Sequence, residues 1–271
     1  MTNRMSSSLC LAALAAALSY PAGASAQGFG MHVAPPRFEL KADAGARVRE
    51  VIQITNPEPS VGRYAAFTAD WSLTEKGEIA FDEGQPRSDS CRPWVRIERR
   101  KFNVSPGSTR AYRFEVHVPP DAKPRECRFA IMVGSDPESE KGVRLGQANV
   151  PVGGQIAVIV YVAVAGAKPQ LQFKGLRRGV ANSIAVPVAI LENTGNAHGR
   201  PEGILVAKDR SGKEFEVYVN SIPILPGQTR EAPIYPSTVD TATGVKFDFP
   251  ISLKGAIEWQ GGKQEINQTI Q

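Results

Sequence analysis

The chain has 271 residues, 42% of them hydrophobic and 22% charged, with 25 glycines and 21 prolines. These values exclude a disordered chain and a single small sandwich, and they suit many strands joined by tight turns. The net charge of +5 is modest, and without a stacking platform or a groove-reading motif it does not point to nucleic acid.

The N-terminus reads as an address label. Arg4 supplies positive charge, Leu9 to Leu18 is a short apolar run, and Ala24-Ser25-Ala26 offers small residues for cleavage. The expectation is a signal peptide over 1–26 and an exported mature chain from about Gln27. The apolar run falls well short of the roughly twenty residues that span a bilayer, and no later stretch reaches that length, so the chain is not expected to be membrane-embedded. Cys10 lies in the discarded segment. That leaves Cys91 and Cys127, an even count that suggests a disulfide in an exported chain. Such a bridge closes a loop worth roughly 3–4 kcal/mol in the chain-entropy account. A zinc site would want closely spaced thiols and histidines, a spacing this chain lacks.

In chain order, Val33 to Leu40 reads as a first strand. Its Pro35-Pro36 predicts a sheet edge or a switch between sheets. Val48 to Thr55 and Tyr64 to Trp71 follow, then a turn at Lys76-Gly77 and a short return over Glu78 to Phe81. Trp94 to Ile97, Arg110 to Val118 and Arg128 to Val133 continue the β pattern; Tyr112, Phe114, Val116 and Val118 share one face. The basic run Arg96, Arg99, Arg100, Lys101 alternates with apolar residues and reads as a solvated strand face. Gly134 to Gly146 is polar and reads as a loop. Ala148 to Val164 is the longest β-forming segment, interrupted by Gly153-Gly154, and Ala165 to Pro169 is the natural linker. Beyond it lie candidate strands Leu171 to Lys174, Ile184 to Glu192, Gly203 to Lys208, Glu214 to Val219, Thr229 to Tyr235, Lys246 to Leu253, Ala256 to Trp259 and Glu265 to Ile270. Asp209 to Gly212 and Gly261-Gly262 mark hairpins.

Two phrases recur. The first half carries Ile54-Thr55-Asn56-Pro57 and later Ser105-Pro106-Gly107. The second carries Leu191-Glu192-Asn193-Thr194-Gly195 and later Leu225-Pro226-Gly227. In each, a strand ends in Asn at a turn, and a Pro-Gly turn opens another strand. The prediction is an all-β chain of two tandem immunoglobulin-like β-sandwich domains, 27–165 and 166–271. The three histidines, His32, His117 and His198, have no nucleophilic pattern around them, and no phosphate-cradling loop precedes a helix. An enzyme is therefore not expected, nor a cofactor or metal.

The first-half phrases resemble the periplasmic pilus chaperones, the PapD-like family. Val33 to Leu40, the strand ending Ile54-Thr55-Asn56, Trp94 followed by Phe102 to Gly107, and the long strand before the linker carry the resemblance in order, as in a divergent member. It implies a periplasmic chaperone that lends a strand to a pilus or surface-fibre subunit and hands it to an outer-membrane usher. Main-chain hydrogen bonds then supply affinity, and alternate apolar side chains fill the subunit's groove. Ala148, Val150 and Val152 share one face and are the expected donors; the section from Ile156 to Val164 reads mainly as core. The family's first-strand arginine maps to Arg37, a client-carboxylate anchor. Its lysine partner maps to Ala157, which is not basic; Lys168 or the Arg96 to Lys101 run are the candidates to replace it. The competing reading is a structural or adhesive immunoglobulin-like exported protein.

Overall fold

The computed structural model describes residues 30–74, 77–137, 143–145, 148–150, 154–237 and 247–271; the expected signal peptide, Lys76 and Val152 lie outside the described residues. The first half contributes β1 (His32–Ala34), β2 (Arg37–Ala42), β3 (Arg47–Thr55), β4 (Gly62–Leu73), β5 (Ile79–Asp82) and β6 (Val95–Ile97). It continues with β7 (Lys101–Val104), β8 (Thr109–His117), β9 (Arg125–Ser135), β10 (Val143–Leu145), β11 (Ala148–Val150) and β12 (Gln155–Val164). The second half contributes β13 (Leu171–Ala181), β14 (Ile184–Asn193), β15 (Ile204–Lys208), β16 (Glu214–Val219), β17 (Thr229–Pro236), β18 (Ile251–Trp259) and β19 (Gly262–Ile270). The molecule is all-β, and its sheets resemble immunoglobulin-like sandwiches.

In the first half, a sheet of order β1-β3-β8-β6 faces a larger one of order β2-β12-β9-β4-β5, with β7 beside β4. Period-two alternation builds the core between them. Ile52 and Ile54 on β3 and Tyr112, Phe114 and Val116 on β8 point inward from one sheet, and Phe129, Ile131, Val158, Val160 and Val162 from the other. The bridged cysteines are fully buried there, Cys91 leading into the turn Arg92–Trp94 and Cys127 on β9. β9 is covered on both faces: Ala130 and Met132 point outward into a separate apolar cluster with Trp71, Ile159, Tyr161 and Leu225. The charges of the 96–101 run are exposed as the sequence suggests.

The second half is one continuous path, β13-β14-β17-β16-β15-β18-β19. Residues 229–233 of β17 pair with β14, and 234–236 pair with β16, so this strand carries the path from one layer to the other. Val188, Leu191, Leu205, Val217, Ile234 and Leu253 fill the core between the layers.

Several boundaries differ from the sequence reading. β13 runs on to Ala181, because a shift at Phe173/Gly175 keeps it paired with β14 beyond Lys174. The strands expected at 246–253 and 256–259 are one strand, β18, continuous through Gly255; residue 246 lies outside the described residues. β7 replaces part of the basic run. Within the polar stretch 134–146, β9 extends to Ser135, and Val143–Leu145 pairs antiparallel with Ala148–Val150.

The recurring phrases meet in space. Asn56 is fully buried, and its amide donates to the carbonyls of Ser60, Val104 and Ser105 at 2.8, 3.0 and 3.3 Å, while its Oδ1 accepts from Glu58 N–H at 3.0 Å. Asn193 repeats this arrangement: its amide donates to Ala197 and Ile224, and its Oδ1 accepts from Gly195 and Gln170. The main chains join as well, Asn56 N–H to Ser108 and Asn193 N–H to Gln228. In each Pro-Gly turn the glycine holds a positive φ, 61° at Gly107 and 74° at Gly227, which proline-led turns of this kind require. Each asparagine therefore plugs a strand end into the turn that opens another strand, saturating buried carbonyls that have no ladder partner. Asn56→Ala and Asn193→Ala should each lose about 3 kcal/mol in urea unfolding, since buried donors and acceptors are orphaned. A loss no larger than that of an exposed strand substitution would contradict this role.

Candidate functional site

The last strand of the first half, β12, sits between β9 and β2. It pairs antiparallel with β9 along its whole length, but its parallel pairing with β2 begins only at Ile159, opposite Arg37. Ile159 N–H donates to the Pro36 carbonyl at 3.0 Å, and Ala165 N–H to the Ala42 carbonyl. Main-chain groups alternate sides along a strand, so odd-numbered residues of β12 direct theirs toward β2. The N–H and C=O of Gln155 and Ala157 point the same way, where no strand among the described residues pairs with them. Pro35 and Pro36 set this limit. Neither has an N–H, and the chain leaves β12 there to run as β1 in the opposite sheet, beside β3.

Arg37 stands where that free edge ends. Its side chain is 49% exposed, and its Nε lies 2.9 Å from Glu39 Oε1, two residues along the same face of β2. The same oxygen has Arg200 Nε at 3.4 Å and His198 Nε2 at 3.5 Å, both from the second half. Beneath them lies Tyr161 of β12, opposite Glu39 in register. The His198 ring stacks on it with centroids 3.9 Å apart, and the Arg200 guanidinium lies over it and donates to its hydroxyl at 3.3 Å. Burial, opposed by the Arg200 charge, pushes the Tyr161 hydroxyl up to about 12, so this phenol stays neutral across the physiological range.

The halves are joined at the same place. Buried Glu126 of β9 accepts at Oε2 from the His198 main-chain N–H at 3.2 Å, with His198 Nδ1 at 2.6 Å. Glu126 N–H donates to the Asn196 carbonyl, and the Asn196 amide donates to the Pro124 carbonyl. Arg128 pairs with Asp89, and its guanidinium lies over Trp71, which packs edge-on against Tyr161. On another side, Arg230 reaches across to donate to the Thr74 carbonyl at 2.9 Å, beside a groove of ≈ 1160 Å³ lined by Leu73, Val180, Ile222 and Tyr235.

The structure thus places Arg37 in a junction between the halves. Ala148 and Val150 lie on β11, whose backbone pairs with β10 on one side; Val152 is outside the described residues. Val158, Val160 and Val162 belong to the core, as the sequence suggests for this section. Ala157 is on the opposite face, beside the outer apolar cluster. The basic groups that the structure sets beside the Arg37–Glu39 pair are Arg200 and His198, and sequence reading passed over Arg200. Its only local signal is that it follows the Asn193 turn, and its neighbours come from strands far away in the chain. Among the described residues, no group of three or more His, Cys, Asp or Glu is placed to hold a metal ion, and no helix is long and apolar enough to cross a membrane.

No family model and no curated protein sequence matches this chain. Solved structures similar to it include several chaperones. The class 5 fimbriae chaperone CfaA is 13% identical, with a TM-score of 0.46, and the match covers 89% of this chain and 99% of that one. The E. coli chaperone DraB is 14% identical, with a TM-score of 0.45 over 90% and 97% of the two chains. A third is a CsuC–CsuE chaperone–tip adhesion subunit pre-assembly complex of Acinetobacter baumannii, at 11% identity and a TM-score of 0.44 over 89% and 97%.

Glu126 is the polar centre of the junction. Glu126→Ala removes the partner of a buried imidazole and of a main-chain N–H, and should cost about 2–3 kcal/mol in urea unfolding. Glu115→Ala, which breaks more exposed pairs with Arg49 and His117, should cost clearly less, since exposed pairs are screened by solvent. Equal losses would show that the junction contributes no more than a surface contact.

Proposed function

We propose that this protein is a periplasmic chaperone for exported pilus or surface-fibre subunits, built as two tandem immunoglobulin-like domains over 27–165 and 166–271. It lends the free edge of its last first-domain strand to a subunit whose own sheet lacks a strand, and passes the subunit to an outer-membrane usher. The observation that carries this reading is the pairing of β12: the main-chain groups of Gln155 and Ala157 face a side with no strand partner among the described residues. A guest strand laid there finds N–H donors and C=O acceptors in strand geometry. An unpaired edge of this kind is otherwise an aggregation hazard, and a client that covers it, and is covered by it, removes the hazard from both chains.

Upstream, Ala148, Val150 and Val152 continue the donated strand and fill the client's groove with alternate apolar side chains. Downstream, the guest strand runs toward Arg37, whose exposed guanidinium receives the client's terminal carboxylate as a charge-assisted pair. Nothing in this work needs a nucleotide, a metal or a cofactor. The association is driven by hydrogen bonds completed in a newly dry interface and by apolar burial.

Ala157→Pro tests the edge directly. Its N–H points away from β9, so proline removes a group meant for the guest and none that the sheet uses. The variant should unfold within about 1 kcal/mol of the parent, yet bind a co-purified exported subunit at least about tenfold more weakly. Arg37→Ala should weaken the same binding without unfolding the chain, and Val150→Asp with Val152→Asp should abolish it. Unchanged subunit binding in Ala157→Pro and in the aspartate pair would remove the strand-lending claim; unchanged binding in Arg37→Ala would remove the anchor.

A further inference from the structure

One exposed carboxylate is held by three basic side chains drawn from both halves. Glu39 is 44% exposed, and its Oε1 is shared by Arg37 Nε at 2.9 Å, Arg200 Nε at 3.4 Å and His198 Nε2 at 3.5 Å. Two of the three are well covered: the His198 side chain is 8% exposed and that of Arg200 16%. Side chains covered to this degree are held in place before any ligand arrives. His198 is fixed by Glu126 and the Tyr161 ring, and Arg200 by the Ser221 carbonyl and the Tyr161 hydroxyl.

Glu39 fills this cradle imperfectly. Arg200 Nε is buried and makes no hydrogen bond among the described residues, although it lies within ion-pair distance of Glu39. The tether explains this. Glu39 sits on the same strand face as Arg37, so its carboxylate is delivered from the β2 side and lies nearest Arg37. A carboxylate arriving free of that tether can turn to satisfy both guanidinium Nε–H donors. The cradle opens on a cavity of ≈ 550 Å³ bordered by Glu39, Arg200, Glu202 and Glu258. Glu202 and Glu258, which also line it, repel anions, which favours a guest carboxylate at Arg200 over the rest of the cavity.

We propose that Glu39 is a resident stand-in for a guest carboxylate, and that Arg200, from the second half, is the second cation of that site beside Arg37. The inference rests on the reading of Arg37 as a carboxylate anchor and extends it in two ways. Binding of the guest carboxylate requires Glu39 to swing out. It also bridges the two halves, so that client capture tightens the junction between them.

Acetate is the probe, since it has the carboxylate without a strand. It is titrated into the full mature chain, and the side-chain Nε–Hε resonances of Arg37 and Arg200 are followed by NMR. In Glu39→Gln, acetate should shift both resonances along one saturable curve. In the parent, where Glu39 competes, the same shifts should need at least about tenfold more acetate. Glu39→Ala should behave like Glu39→Gln, and Arg200→Gln in the Glu39→Gln background should return the affinity to about the parent's or below. If parent and Glu39→Gln titrate alike, Glu39 is no stand-in. If only the Arg37 resonance moves, Arg200 is not part of the site. Either result leaves strand lending by β12 intact, because that reading is tested by Ala157→Pro and needs no acetate; a failure of Ala157→Pro leaves the acetate result standing.

Discussion

Among the described residues, the strand β12 is paired on both sides from Ile159 onward and on one side before it, and the rest of the functional account depends on that asymmetry. Its cause is two residues. Pro35 and Pro36 offer no N–H, so β2 cannot extend upstream along β12, and the chain crosses to the other sheet to become β1. The proline pair thereby both ends the pairing and leaves an edge. It also fixes where the edge ends, and the first residue able to resume pairing is Arg37. Among the described residues, a backbone edge without a strand partner and an exposed guanidinium are neighbours for a topological reason.

The edge is useful only if the strand carrying it is rigid, and the structure supplies this from both faces. Val158, Val160 and Val162 are locked in the first core, while Ile159 and Tyr161 lie in the outer cluster that Leu225 of the second half helps to close. Arg200 then ties the second half to Tyr161 of the same strand, and His198 ties it to Glu126 on the neighbouring β9. Each half is in turn secured by an asparagine plugged into a Pro-Gly turn. The second of these turns presents Leu225 itself, so the device that secures the second half also sets the residue that packs against the first.

Much of this was readable in the chain. The recurrence of Asn56 with Pro106-Gly107 and of Asn193 with Pro226-Gly227 pointed to an all-β chain with the same strand-end-to-turn contact in each half, because each phrase is a strand end and a turn with fixed backbone demands. The alternation Tyr112, Phe114, Val116 marked the buried face of β8, and Pro35-Pro36 pointed to an edge or a sheet switch, of which the chain makes both. Cys91 and Cys127 stood out by arithmetic. Other features were not readable, for stated reasons. β9 is buried on both faces, so its run Phe129 to Val133 shows no period from which an outer cluster follows. β13 outruns its expected end because a bulge hides its continuation. Arg200 and His198 were invisible as partners of Glu39, since only the docking of the two halves brings them together, and no local spacing encodes that docking.

The most direct measurement is amide hydrogen exchange along β12 in the mature chain, residue by residue. Ile159, whose N–H is held by the Pro36 carbonyl, should be protected in the free protein, while Gln155 and Ala157 should exchange at near-unprotected rates and become protected when a subunit is bound. Strong protection of Gln155 and Ala157 in the free protein, or exchange unchanged by a bound subunit, would contradict the account.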